Sequence, residues 1–398
     1  MNFLGLMFVN MARNKRRTFL TMMSVTVALF LFCALGGVLD TLDESIKVGS
    51  ETRLVTRNAI SLIFPMPLAY WDRIKAIPGV RNVTIQNWFG GQDPKDPHNF
   101  FAQFGVDPPT FFPVYKGEME IVAASPAQTS VAVPAGIDPK LAAFMTERTA
   151  CVVGEKLYKR MGWRVGQTIT LNGTIYPGQW PMTIAAVYHA RQKSFGEDVL
   201  FFHWDYLSEK GMSGQGQVGI YVLDLERPDR AADIARQVDA MFENSSASTR
   251  TESERAFQAG FVSMYGNLPF VIRLIGLAVA FAILLVAANT MVMAIRERTS
   301  EIGVMKTLGF DDGSVFRLVL AEAAIITLLG GVIGALGAKL LIEGSGFSAG
   351  GFLPPMTVRW QTVVTGVTVA VLVGAVSGLI PAWQASRLRI VDALRRVN

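Results

Sequence analysis

The stretch LIGLAVAFAILLVAANTMVMA (274–294) runs without interruption into IRERTSEIGVMKTLGF (295–310). The first part is apolar over 21 residues, long enough at about 1.5 Å per residue to cross a hydrocarbon core roughly 30 Å thick. The second part mixes charged and apolar residues at helical spacing, and a new apolar run begins at Leu318. A membrane helix, a short charged helix and another membrane helix follow from that order.

Working outward, three other stretches reach membrane length: Phe19–Leu39, Leu318–Ile342 and Thr362–Ile380. The chain of 398 residues is 51% hydrophobic and only 17% charged, with a mean hydropathy of +0.34. That balance fits membrane segments rather than two or three soluble domains. The expected fold is a membrane protein with four transmembrane α-helices, one and then three, and a large α+β extracytoplasmic domain between helices 1 and 2. The predicted spans are 19–40, 268–295, 318–342 and 362–380. Between and around them lie an amphipathic segment (1–18), the α+β domain in two lobes (41–249), a stalk helix (250–267), a coupling segment (296–317), an outer loop (343–361) and a terminal helix (381–398).

The first span does not read as a cleaved signal peptide. Arg13, Lys15, Arg16 and Arg17 precede it, but its apolar run of about 21 residues exceeds the usual 7–15 and ends in GGVLDTLDE, with no small-x-small cleavage pattern. Short flanks rich in Lys and Arg face the cytoplasm. They lie before span 1, between spans 2 and 3 (Arg296, Arg298, Lys306, Arg317) and after span 4 (Arg387, Arg389, Arg395, Arg396), whereas 343–361 holds only Arg359. Both termini and 296–317 are therefore expected in the cytoplasm, and the large insert outside.

Residues 41–267 contain 22 basic and 24 acidic side chains, so the excess positive charge belongs to the membrane flanks. No compact basic face with interleaved aromatics marks nucleic-acid binding. Cys33 lies in span 1 and Cys151 in the insert, which leaves the outer domain without an internal disulfide. Within 151–190 the pattern predicts a helix over Glu155–Met161, a strand, an Asn172-Gly173 turn and two further strands. VGIYVLDL (218–225) reads as a buried strand and 228–244 as a helix opening at Pro228-Asp229. A related α/β unit occupies 70–85.

Site chemistry is absent from this reading. His98, His189 and His203 are scattered, and no two stand at metal-ligand spacing, so no metal site is predicted. Gly346-Phe347-Ser348-Ala349-Gly350 matches a nucleophile elbow, but no histidine follows it. No phosphate-binding G-x-x-x-x-G-K-[ST] loop occurs. Gly330 and Gly334, then Gly374 and Gly378, place small residues on helical stripes suited to close helix packing, within one bundle or between protomers. Glu322, Lys339 and Glu343 fall near span ends, where they can snorkel, and Asn289 can bond across helices. In 295–310, Ile302, Met305 and Leu308 share a face with Val304 at its margin, and Glu301 and Arg298 intrude on it three residues apart, where they can pair. A protein groove suits this face better than lipid headgroups do.

ERTSEIGVMKTLGF resembles the cytoplasmic segment of the MacB/LolC/FtsX class of ABC-transporter permeases through Glu297, Arg298, Glu301, Ile302, Gly303, Lys306, Leu308 and Gly309. PAWQASRLRIVDALR (381–395) is similar to that family's terminal motif, with Ile390 where proline is usual. RNKRRTFLTMMSVTVALFLF (13–32) and ACVVGEKLYKRMGWRVGQTITL (150–171) resemble its first helix and its external domain. The resemblance implies a non-catalytic, FtsX-like subunit of a mechanotransmission transporter in a bacterial inner membrane. It implies contact with an ABC ATPase subunit through Glu297, Arg298, Glu301, Ile302, Gly303, Met305 and Lys306. ATP and Mg would be bound by that partner and no cofactor by this chain. A homodimer is the simpler assembly and a heterodimer the alternative, with a periplasmic adaptor or lipoprotein as further partner. The cargo would be a drug, peptide, toxin or lipoprotein; the alternative is a signal transmitter that activates an extracytoplasmic cell-wall hydrolase.

Overall fold

The computed structural model describes residues 15–50, 52–96, 99–126, 133–191, 196–211, 216–263, 266–345 and 356–389. His98, the 346–350 motif, and the parts of the two terminal segments at 1–14 and 390–398 lie outside them. In chain order, α1 (Lys15–Val48) leads to β1 (Arg53–Asn58), β2 (Met66–Pro67), α2 (Tyr70–Lys75), β3 (Val80–Trp88), β4 (Gly91–Gln92), β5 (Ala102–Val106), α3 (Pro108–Val114) and β6 (Met119–Ala124). Next come α4 (Ala142–Thr146), β7 (Ala150–Gly154), α5 (Glu155–Met161), β8 (Thr168–Gly173), β9 (Gly178–Ala190), β10 (Val199–His203), α6 (Trp204–Lys210), β11 (Gln217–Val218) and β12 (Ile220–Leu225). Then follow α7 (Ala231–Phe242), β13 (Thr249–Ser253), α8 (Glu254–Ser263), α9 (Leu268–Glu297), α10 (Thr299–Thr307), α11 (Asp312–Ser345) and α12 (Trp360–Ser386).

Among the described residues two units result: a helical one over 15–41, 267–345 and 356–389, and a sheet-bearing one within 42–266. α1, α9, α11 and α12 are each long and apolar enough to cross a membrane, and α11 is the most enclosed. Hydrophobicity does not sort helix from helix in lipid, so close backbone approach must. The glycines provide it. A Cβ on Gly330 would lie 2.9 Å from the Met22 carbonyl and one on Gly334 2.4 Å from that of Thr26, so both seat α11 on α1. A Cβ on Gly374 would lie 2.0 Å from Thr327 Oγ1 and one on Gly378 2.9 Å from Ala323 Cβ, so both seat α12 on α11. All four glycines are thus used within one bundle. Val25, Leu29, Ile283, Ala370 and Val373 fill its middle.

Two sequence expectations change here. Residues 381–386 form the last turns of α12 rather than a separate helix. Pro381 forfeits one backbone hydrogen bond, but burial of Ala382 and Ala385 keeps the helix going. Lys339 does not snorkel: its Nζ donates to the Val358 carbonyl (2.7 Å) and Glu343 (2.6 Å) and lies over the Trp360 ring. Asn289 is exposed.

In the sheet-bearing unit, β13-β1-β12-β3-β5-β10-β7-β9-β8-β4 form one mixed sheet, with β6 also on β9. Among the described residues only β5–β10 and β7–β9 pair in parallel. The runs ACVVG and VLFFH are buried at every position and, His203 apart, carry no polar side chain, because both faces are covered: Cys151, Val153, Leu200 and Phe202 enter one core, and Val152, Val199 and Phe201 another. A third core lies under α7, whose Ile234, Val238 and Phe242 pack at helical spacing on Leu54, Ile85 and Leu223. One continuous sheet runs through the unit for which the sequence suggests two lobes. Burial pushes the Cys151 thiol up, so it serves as a core residue.

The β8–β9 hairpin exists, but its turn is Thr174–Pro177, because Asn172 pairs with Gln179 and Gly173 with Gly178. Gly173 is needed for space, since a Cβ would lie 1.9 Å from the Tyr176 carbonyl, while the positive φ falls on Gly178. The two strands expected after it are the single β9.

The stalk helix over 250–267 is also corrected. Thr249–Ser253 is a strand paired with β1, with the Thr56 and Thr251 hydroxyls bonded inside and Asp239 holding Thr249 and Thr251. Alternating β-branched residues outweigh the local helix formers there. α8 spans only ten residues, and Gly266 (φ +61°) interrupts the helix before Leu268. Arg53 joins this edge of the sheet to the segment after α3, pairing with Glu254 (2.8 Å) and Glu118 and lying over the Tyr115 ring.

Gly374→Val forces Thr327 away from α12, and overpacking of this kind costs about 1–3 kcal/mol. We expect a lowered melting temperature in detergent for Gly374→Val, with Ala375→Val, one residue along, close to wild type; equal melting temperatures would remove the close-approach role.

Candidate functional site

α9 ends at Glu297 because Arg298 leaves helical geometry (φ −104°, ψ 15°), and α10 starts at once. Thr299 steadies the corner by returning its hydroxyl to the Ile295 carbonyl (3.1 Å). α10 closes at Gly309, whose φ of +95° suits glycine. The Gly309 amide donates to the Lys306 carbonyl and that of Phe310 to Met305, satisfying end carbonyls in the manner of a left-handed C-terminal cap. Asp311 then takes the Ser314 hydroxyl and opens α11.

The charged residues of the motif whose bonds cross the bundle reach three helices between them. Glu297 accepts from Arg17 of α1 at 2.6 Å. Arg298 Nη1 lies 3.0 Å from both carboxylate oxygens of Glu322 on α11. Lys306 donates to the carbonyls of Ser386 (2.5 Å) and Leu388 (2.9 Å) at the end of α12, and pairs with Asp312 at 2.8 Å. A cation at this place favours the negative end of the helix dipole.

Glu322 is 5% exposed. It is therefore the buried counter-ion of Arg298 rather than a snorkelling side chain, a cross-helix partner that spacing along the chain does not reveal. Ile302 lies in a core with Met291, Ile295, Val315, Val319, Ala382 and Ala385. Gly303 is buried as well. Beside them a cavity of about 390 Å³ is lined by Arg298, Glu301, Ile302, Met305 and Glu322 among others.

The predicted contact residues thus divide. Arg298, Ile302, Gly303 and Lys306 are turned into the bundle, Glu297 is exposed and bonded to α1, and Glu301 and Met305 are half-buried. What α10 presents outward is Val304 (48% exposed), Leu308 (74%) and, just beyond, Phe310 (39%). Hydrophobic periodicity could not find this tip, because it assigns apolar residues to the inner face.

One apolar helix before and three after a sheet-bearing domain, joined at a charged hub, define a multi-helix membrane permease. The chain belongs to the MacB- and FtsX-like ABC-transporter permeases: residues 18–241 match the MacB-like periplasmic core domain and 273–390 the FtsX-like permease C-terminal family. It is 23% identical to an uncharacterised ABC transporter permease of Methanocaldococcus jannaschii, over 98% of this chain and 96% of that one. It is 35% identical over 111 residues to the uncharacterised permease YknZ of Bacillus subtilis, which is 27% of this chain and 26% of that one. It is 39% identical over 107 residues to the macrolide export ATP-binding/permease protein MacB of Sodalis glossinidius, 27% of this chain and 16% of that one. These last two alignments span about a quarter or less of the relatives' lengths. Among solved structures, the periplasmic region of MacB from Actinobacillus actinomycetemcomitans aligns with 55% of this chain and 97% of its own, at TM-score 0.38 and 8% identity.

Arg298→Ala strands Glu322 in the bundle, which typically costs 3–5 kcal/mol for a buried pair. We expect strong loss of thermal stability in detergent for Arg298→Ala and recovery of most of it in Arg298→Met/Glu322→Leu. A double variant no more stable than the single one would contradict the pairing.

Proposed function

We propose that this chain is the transmembrane subunit of an ATP-driven transporter of the mechanotransmission type. A separate ATPase subunit, holding ATP and Mg²⁺, docks on the outward tip of α10. Its closure on ATP displaces the hub, the hub displaces α1, α11 and α12 together, and the sheet-bearing domain moves in response to export or extract a substrate already outside the membrane. Drugs, peptides, toxins and lipoproteins are the substrate classes. Both termini face the cytoplasm, two copies assemble, and an adaptor or lipoprotein meets the outer domain.

The supporting observation is the division of α10: charged residues tied to other helices on one side, and an apolar tip of Val304, Leu308 and Phe310 at the other. A segment that only joined two membrane spans would have no use for Leu308 at 74% exposure. An exposed apolar group among charges is the form of an interface anchor. The MacB- and FtsX-like family supports the partner's class.

Leu308→Glu leaves the chain's own packing intact, so its melting temperature should change little. We expect an ATPase carrying a phosphate-binding loop to co-purify with wild type and to be lost from Leu308→Glu. Glu301→Lys, beside the tip, should insert normally and abolish transport. Undiminished co-purification with Leu308→Glu and transport by Glu301→Lys would overturn the docking assignment.

A further inference from the structure

We propose that the sheet-bearing unit carries a divalent-metal site, of zinc type, formed by Glu155, His189 and Glu197. Spacing along the chain hides it, since the three residues come from the start of α5, the end of β9 and the segment before β10. In space, the imidazole Nδ1 of His189 lies 2.9 Å from Glu155 Oε2 and 2.8 Å from Glu197 Oε1. All three donor atoms fall within 4.8 Å of one another.

Two carboxylates converge on one ring nitrogen, which carries at most one hydrogen and can donate it well to only one of them. A cation placed between the groups is bonded by all three. One imidazole nitrogen and two carboxylate oxygens suit zinc better than magnesium or calcium, which take oxygen donors. Zinc ligands at about 2.0–2.1 Å in tetrahedral geometry stand roughly 3.3 Å apart, so each carboxylate oxygen moves about half an ångström away from Nδ1 on binding. The ring coordinates through Nδ1 and keeps its hydrogen on Nε2. The fourth position is left to water, because the His189 side chain is 49% exposed.

The ligands are held by other groups. Glu197 Oε1 also accepts the Ala190 amide (2.8 Å), and its carbonyl accepts that of Leu157 (3.1 Å). The Tyr188 hydroxyl fixes the adjacent Gly196 carbonyl at 2.6 Å. Lys159 holds the other oxygen of Glu155 at 2.5 Å and leaves Oε2 for the metal. Such outer contacts orient ligands in established zinc sites. Bound metal would tie the end of β9 and Glu197 to α5 in a domain whose one cysteine, Cys151, is free.

The test uses the untagged full-length chain in mild detergent, stripped with chelator and dialysed against Zn²⁺. We expect one zinc per chain and a rise in melting temperature with added Zn²⁺. His189→Ala and Glu197→Gln should each weaken binding at least tenfold and abolish that rise. Glu120→Gln, which changes the exposed cross-strand neighbour of His189, should bind as wild type does and serves as the control. No stoichiometric zinc on wild type, or undiminished binding by folded His189→Ala, would overturn the site.

Discussion

A buried arginine–glutamate pair sets the terms for the membrane half of this protein. Arg298 and Glu322 are removed from water among apolar helices, where the cost of an isolated charge is large and only a well-placed partner offsets it. The pair therefore fixes the break after α9 against one position on α11. Once that break is fixed, α10 has one orientation: Ile302 enters the core and Lys306 reaches the end of α12. The glycines on α11 and α12 then let the helices close on α1 and on each other.

This arrangement separates two jobs within a dozen residues. The charged and small residues of the motif hold the bundle together, and the apolar tip faces outward. The segment that carries the tip is tied to three helices by ion pairs and helix-end hydrogen bonds of 2.5–3.0 Å. In the sheet-bearing unit a comparable economy holds: Arg53 joins the first strand to Glu118 and Glu254, and Gly49 lies against the backbone of Glu254 and Arg255, where a Cβ would meet the Arg255 nitrogen at 2.5 Å.

Much of this was legible in the sequence, for identifiable reasons. Membrane spans depend on composition over twenty residues, which is local, so the four helices were found. Helix Glu155–Met161 and the strand at 220–225 likewise follow local pattern. The misses have a common cause in partners distant along the chain. Glu322 is 24 residues from Arg298, the strand at 249–253 is stabilised by β1 nearly two hundred residues earlier, and the 155/189/197 cluster spans three elements. The glycine stripes were read, but only the neighbouring backbones show that they serve one bundle. Family resemblance points to the motif while leaving open which of its residues face inward.

The central claim is that the motif is scaffold and the tip is the docking surface. The direct measurement places a photoreactive amino acid at position 308, and separately at 302, in the full-length chain in native membranes, and identifies what each captures by mass spectrometry. The account predicts that position 308 crosslinks an ATPase subunit and that position 302, buried among Met291, Val319 and Ala382, crosslinks only within this chain. Capture of the ATPase from position 302, with none from 308, would contradict it.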